Sequence, residues 1–350
     1  MKIKNVNFEI KLKGHGIVNF DSGDQKYLWN RESKDGNKNK FTSADNNNVY
    51  AKKAYFRTED GKLDYKIKIS SDALRNAIFK GDAIATNPSI SHHKSLLYSF
   101  IGSTMGLVRG YMFAGDETIK RKSPLTITSA VQTNNAESYM EFHSRSGQKK
   151  TNDDSDKSDT TIFNRETIGD ITYKANGCFN IQGLEFISCD PIFDRYSFNS
   201  DDYSLVKTFL SNTIPNFNTE LGYYTLKTSC IDVAEYGIKL TSEQIVFLIK
   251  ETLKRILTLK ISKANSYVEV ESLQIELVTD VLDSKNNKWI EIKNIDDINN
   301  LKFDVEEFYV LSDASEAKKQ RAEIEAKIKE VAKKSSDDKK AKKESKKENN

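Results

Sequence analysis

The chain has 350 residues, of which 37% are apolar and 30% charged, with a formal net charge of +3. That length allows one large domain or two smaller ones, each with ample apolar residues for a core. No apolar run approaches the roughly 20 residues of a membrane span, and the amino terminus, MKIKNVNFEIKLKG, lacks the apolar stretch of a signal peptide. Cys178, Cys189 and Cys230 show no C-x-x-C spacing, which argues against a disulfide frame or a zinc site and for a reducing, cytoplasmic setting.

The net charge hides an asymmetry. Residues 313–350 carry 13 basic and 9 acidic side chains, which leaves residues 1–312 at −1. A nucleic-acid-binding body must therefore gather its cations on one face.

In chain order, residues 3–13 alternate (Ile3, Val6, Phe8, Ile10, Leu12) as a first strand. Gly14-His15-Gly16 then breaks or bulges it before Ile17-Val18-Asn19-Phe20. A polar stretch from Asp21 to Asn48 opens an exposed insertion over about 21–60. Residues 63–69 alternate again. Ser70-Ser71-Asp72 signals a helix start, and Ala73–Lys80 reads as a short helix ended by Gly81. From Ser95 an apolar, helix-like run leads through Gly102 and Gly106 into an expected strand, Leu107–Tyr111. Lys120-Arg121-Lys122 opens a second strand, Pro124–Thr128.

Periodicity fades after residue 130. Residues 133–166 read as a protruding hairpin, with an aromatic patch at Tyr139–His143 and a polar, mobile tip. Strands are expected at 169–173 and 177–187, and helices at 201–210 and 242–259. The second helix carries Ile245, Leu248, Ile249, Leu253 and Ile256 on one face. Strands at 267–278 and 303–310 close the body. In the tail, Ala322–Lys334 has good helix formers but a thin apolar stripe, and most of 313–350 reads as disordered.

Strands mixed with two packing helices suggest an α+β domain of the ferredoxin-like, RNA-recognition type. The segment from Ser95 to Ser129 offers cations, hydroxyls, glycines and aromatic rings, the chemistry of phosphate gripping and base stacking rather than catalysis. Ser70 and Ser71 stand where free N–H groups and hydroxyls meet a phosphate, with Arg75 one turn on. An ordinary helix cap with a surface arginine is the alternative. Arg109 sits between glycines, where backbone approaches a ligand closely; an arginine paired with an acid is the other reading. Lys120, Arg121 and Lys122 read as a backbone-binding cluster or a solvated charge run. His15 is a stacking or polar contact, or a plain turn residue. Tyr139, Met140 and Phe142 are candidate wedges between bases, or a face packed on the body or on a neighbouring subunit; His143 lies beside them. No metal or cofactor site is expected.

Several blocks resemble one family. They are Gly14–Asn19, Ile69–Arg75, Gly106–Tyr111, Lys120–Leu125, Ile168–Tyr173, Leu184–Ser188 and Phe193-Asp194-Arg195. In this order they are similar to the backbone-forming RAMP subunit of type I CRISPR Cascade complexes, above all that of the minimal type I-F variant. The resemblance spans residues 3 to about 275.

It implies a right-hand shape, with a ferredoxin-like palm, a finger insertion and a thumb hairpin at about 133–166, all within one RNA-binding domain over 1–312. It implies a non-catalytic subunit that polymerises along CRISPR guide RNA in a helical filament and kinks it at each subunit boundary. Bases are then presented to a target DNA strand, alongside other Cascade subunits, in antiviral interference. His15, Asn19, Ser70, Ser71, Arg75, Arg109, Lys120–Lys122, Tyr139, Met140, Phe142 and His143 are the expected RNA contacts.

Enzyme signatures are weak. Gly102-x-x-x-Gly106 lacks the Gly-Lys-Ser/Thr of a phosphate-binding loop. Asp21 follows the first strand, where RNA-cleaving type III relatives carry an aspartate, which leaves a guided ribonuclease as one alternative. A self-assembling structural subunit without RNA specificity is the other.

Overall fold

Alternation in the amino-terminal segment sends Val6, Phe8, Ile10 and Leu12 to one face of a strand, and all four are fully buried. Around that strand the rest of the sheet is built. The computed structural model describes residues 2–22, 48–80, 94–114, 118–148, 158–229, 233–263, 265–279, 288–324 and 326.

The main elements are β1 (Asn5–His15), β2 (Lys53–Arg57), β3 (Leu63–Ile69), α1 (Ser71–Ile78), α2 (Lys94–Ile101) and β4 (Ala130–Gln132). They continue with β5 (Ser138–Gln148), β6 (Ser158–Ile168), β7 (Asp170–Asn180), α3 (Tyr203–Thr213), α4 (Ser242–Leu257) and β8 (Ser266–Val278). The central sheet runs β8-β1-β7-β4-β3-β2, with Lys260–Lys263 outside β8. β1 is antiparallel to both neighbours, and Leu125–Ile127 pairs with the far end of β7.

Helix α4 has a capping box at Thr241 and Gln244, and it buries Ile245, Leu248, Ile249, Leu253 and Ile256. It packs on β8 and touches α1. A second sheet joins Phe186–Ser188, Glu235–Lys239, Gly222–Leu226 and Tyr309–Leu311. The Glu185 carboxylate holds its last strand by accepting from the Phe308 and Tyr309 amides at 2.8 and 3.2 Å.

The expected hairpin is a regular antiparallel ladder, from Ser138 opposite Ile168 to Gln148 opposite Ser158. It shares a sheet with the ends of the insertion. β6 runs parallel to Asn48–Ala51, which in turn pairs with Phe20–Ser22. The insertion is thus strand at both ends where exposed loop was expected. The centre of the insertion and the hairpin tip lie outside the described residues.

Other expectations need correcting. Leu107–Tyr111 is not a strand: Met105–Arg109 forms a π-helical turn, and the strand is Tyr111–Phe113, paired with Ile119–Arg121. Leu107 and Val108 are both fully buried, so the run has no strand-like alternation of burial. A Cβ on Gly106 would fall 2.2 Å from the Phe100 carbonyl oxygen, so only glycine lets the turn fold back on α2. Gly177–Ile187 is likewise not one strand. Asn180 caps a helical turn, Ile181–Glu185, by accepting from the Gly183 amide at 3.3 Å. Phe303–Val310 divides into Asp304–Val305 and Tyr309–Leu311.

The start of the tail is helical over 314–324 and docks on the body. Arg321 pairs with the fully buried Asp190, and Ala317 is buried. Cys178 and Cys189 are free thiols; Cys230 and Gly81 lie outside the described residues. No helix among the described residues is long and apolar enough to cross a membrane.

Candidate nucleic-acid interface

The end of β3 leads directly into α1, and that junction gathers several of the expected contacts. Ser70 has extended backbone and caps the helix, its Oγ accepting from the Ala73 amide at 3.4 Å. Asn19, from the segment after β1, donates its side-chain amide to the same Oγ at 3.2 Å. Ser71 opens the helix, and Arg75 lies one turn on, bonded to Asp72 at 2.5 Å. The Nε of Arg75 is buried without a partner.

Arg109 arrives from a different element, the end of the π-helical turn. Its pKa is lowered, first by partial burial and then by repulsion from Arg75, against a smaller attraction from Asp72. Among the described residues no hydrogen bond or ion pair holds Arg109. Two guanidinium groups from separate elements therefore share a half-buried site, with Asp72 the one carboxylate beside them among the described residues. Mutual repulsion between the two makes an anion a favourable third member of that site.

The Lys120–Lys122 cluster divides. Lys120 pairs with Asp194, and Lys122 is exposed. Arg121 turns inward and is 6% exposed. Its guanidinium donates to the carbonyls of Leu107, Gly183 and Phe186 at 2.8–3.0 Å, and burial pulls its pKa down to about 10. Arg121 ties three segments together and is not part of the exposed cationic surface. His15 stands at the end of β1 with Nδ1 3.0 Å from an Asp170 carboxylate oxygen, apart from the arginine pair in sequence and sheet position. Gly16 follows with φ +73°, the left-handed turn that ends the strand.

On the hairpin, strand alternation splits the aromatic patch. Met140 and Phe142 project from one face, with Phe142 82% exposed; Tyr139, Glu141 and His143 project from the other. His143 Nε2 lies 3.5 Å from Glu141. The hairpin root is fixed by Glu166, which sequence reasoning missed. Although 3% exposed, its carboxylate accepts from the Ala51 amide at 2.9 Å and the Ser138 hydroxyl at 2.6 Å, with Lys53 Nζ at 3.1 Å. Arg165 stacks over the Phe20 ring at 4.3 Å. The signal available for Glu166 was its parity with Ile168, which puts it on the buried side of β6.

Among the described residues no group of His, Cys, Asp or Glu could hold a metal ion. The fold and surface thus define an α/β protein with a paired-arginine site at a helix start and a projecting hairpin. The chain belongs to the Cas7fv-like family of type I-Fv CRISPR-associated proteins, whose sequence profile matches residues 2–310. This agrees with the resemblance to the backbone-forming subunit of type I Cascade. No curated protein sequence matches the chain.

Two solved structures are similar at 10% identity. A chain of a "CRISPR RNA-guided surveillance complex" has a TM-score of 0.36, covering 93% of this chain and 84% of that one. A chain of a "CRISPR RNA-guided surveillance complex, pre-nicking" has a TM-score of 0.35, covering 78% and 75%. At these scores the family match alone carries the assignment.

Proposed function

We propose that the chain is a non-catalytic subunit of a CRISPR RNA-guided surveillance complex, in which copies assemble along the guide RNA and grip its phosphate backbone. The observation that carries this reading is the Arg75–Arg109 pair beside the Ser70 cap. It sets two partly desolvated guanidinium groups beside a helix start, and a phosphate there would neutralise them. Asp72 holds Arg75 in place, and its exposed carboxylate is free to swing away when an anion arrives.

The sheet order β8-β1-β7-β4, with α1 and α4 as the crossover helices, supports a ferredoxin-like palm. The ends of the insertion serve as finger roots, and β5–β6 is the thumb. Residues 1–312 form the RNA-binding domain, and the tail from 313 adds a docked helical start. Asn19, Ser70, Ser71, Arg75, Arg109, Lys120 and Lys122 contact the RNA backbone, with His15 further along. Met140 and Phe142 wedge the RNA at the subunit boundary, and Tyr139 and His143 face the other side of the thumb. Bases between kinks are left for a target DNA strand, and other subunits cap the filament. Asp21 has no catalytic task.

The test is co-expression with a CRISPR array. Uniform small RNA should co-purify and be released by salt, and the purified complex should leave complementary RNA uncut with any divalent metal. Recovery of the chain free of RNA overturns the reading. Metal-dependent cleavage abolished by Asp21→Ala moves the protein to the ribonuclease class.

A further inference from the structure

The helical start of the tail, residues 314–324, lies beyond the stretch that the family profile matches. Only Ser312 and Asp313 separate it from the strand Tyr309–Leu311, and both are tied down. The Ser312 amide donates to the Tyr223 carbonyl at 2.8 Å, and Asp313 caps the helix by accepting from the Ser315 and Glu316 amides at 2.9 and 3.0 Å. With so short a link the helix docks on its own body, and it carries Arg321 to the second sheet.

Arg321 meets Asp190 there. One Asp190 carboxylate oxygen accepts from the Ile192 amide at 3.1 Å; the other accepts from the Tyr236 amide at 3.1 Å and from the Arg321 guanidinium. The guanidinium also lies 5.7 Å from the centre of the Tyr223 ring. Because Asp190 is fully buried, losing Arg321 would leave its carboxylate without this ion-pair partner, one of the costlier changes a folded chain can suffer.

Asp190 is also the first residue of a segment, 190–197, that returns to the strand bearing Lys120. The Tyr196 carbonyl accepts from the Lys120 amide at 2.7 Å, the Ser197 hydroxyl donates to the Lys120 carbonyl at 3.2 Å, and Asp194 pairs with the Lys120 ammonium. Lys120 is thus held by this segment through both its main chain and its side chain. The segment has two anchors on the second sheet, Arg195 on the buried Glu235 carboxylate and Asp190 on the Tyr236 amide. Glu235 and Tyr236 are neighbours on one strand, so a disturbance at Asp190 reaches both anchors.

We propose that Arg321 is a positioning residue for RNA binding: through Asp190 the tail helix sets the 190–197 segment, and with it the place where Lys120 meets the phosphate backbone. The proposal rests on the reading of Lys120 as an RNA contact and goes beyond it by giving the tail helix a task in the grip. Asp194 is almost fully exposed, so it holds the Lys120 ammonium in place and yields to a phosphate.

The test follows the affinity of the full chain for single-stranded RNA across a salt range by fluorescence anisotropy, together with hydrogen exchange over 190–197. Lys120→Met should lower affinity roughly tenfold and flatten the slope of log affinity against log salt by about 0.7, the mark of one lost phosphate contact. Arg321→Met should raise exchange over 190–197 and show the same flatter slope, with a loss of affinity no larger than that of Lys120→Met. Arg321→Lys, which keeps the ion pair, should restore most of the affinity and the slope. Lys120→Met combined with Arg321→Met should bind no more weakly than Lys120→Met alone, since both act through one contact. Should Arg321→Met fail to fold, Asp190→Asn with Arg321→Met takes its place with the same expectations, because it leaves no buried charge unpaired.

A folded Arg321 variant that melts lower but keeps wild-type affinity and salt slope overturns the proposal and leaves Arg321 a packing residue. Losses that add in the combined Lys120 and Arg321 variant overturn it as well. If Lys120→Met itself leaves affinity and slope unchanged, the reading of Lys120 as an RNA contact is refuted, and the proposal falls with it.

Discussion

Arg109→Met separates a binding arginine from a structural one. In the free chain the Arg109 guanidinium is partly desolvated, faces Arg75, and has no ion-pair partner among the described residues. Methionine keeps the length of the side chain and removes the charge. Stability of the free chain should stay the same or rise by up to about 1 kcal/mol, a change in Tm of less than about 4 °C.

Binding should move the other way. A charge-assisted hydrogen bond to phosphate is worth about 1.5–3 kcal/mol, so affinity for an RNA spanning one subunit should fall roughly 10- to 150-fold. The salt slope should flatten by about 0.7 for one single-strand contact. Between about 50 and 200 mM salt, the wild-type chain should therefore lose about 2.6-fold more affinity than the variant. Thermal melts of the free chain and fluorescence anisotropy across that salt range read both quantities. A free chain that melts several degrees lower, with RNA affinity and salt slope unchanged, refutes the reasoning and makes Arg109 a packing residue.

On the hairpin, Met140→Ala with Phe142→Ala should leave the melting temperature unchanged, because both side chains are exposed, while the periodic reactivity of guide bases to chemical probes fades. Glu166→Ala should loosen both the β5–β6 hairpin and the strands around Ala51 and Lys53, since it strips a buried acceptor from Ala51, Ser138 and Lys53 at a cost of about 3 kcal/mol; hydrogen exchange should rise across 48–57, 138–148 and 158–168 while α4 stays protected. The Glu307 carboxylate is held below its ordinary value of 4.5, mainly by its hydrogen bond from Lys239 and also by Lys227. A depressed acid contributes stability that is present above 4.5 and lost as pH falls through the lower folded value, so Glu307→Gln should be less sensitive to acid in that window, as measured by unfolding at stepped pH.

The central sheet and its packing helix were legible where apolar residues repeat on one face of an element. β1, β3 and β8 show period-2 alternation, and α4 carries an unbroken apolar face with its cap at Thr241. The start of α1 was legible from Ser70-Ser71-Asp72, and the hairpin from the loss of periodicity followed by its recovery. The π-helical turn was not, because Leu107-Val108-Arg109 is too short a run to tell a buried turn from a strand.

Arg121 was misplaced for a different reason. Its partners are carbonyls at Leu107 and Gly183–Phe186, brought together only by the folded chain, so a charge run gave no sign that its middle member turns inward. The separation of Met140 and Phe142 from Tyr139 and His143 was present in the sequence as simple alternation. The nearness of Arg75 to Arg109 was not, since it depends on how the turn after α2 folds back towards α1.

The central claim is that copies of this chain line an RNA at a fixed spacing. Native mass spectrometry of complexes assembled on guide RNAs of stepped length tests it most directly. The number of chains should rise by whole copies in proportion to RNA length, with each added copy covering the same number of nucleotides. A single chain per RNA at every length, or a copy number that ignores RNA length, would contradict it.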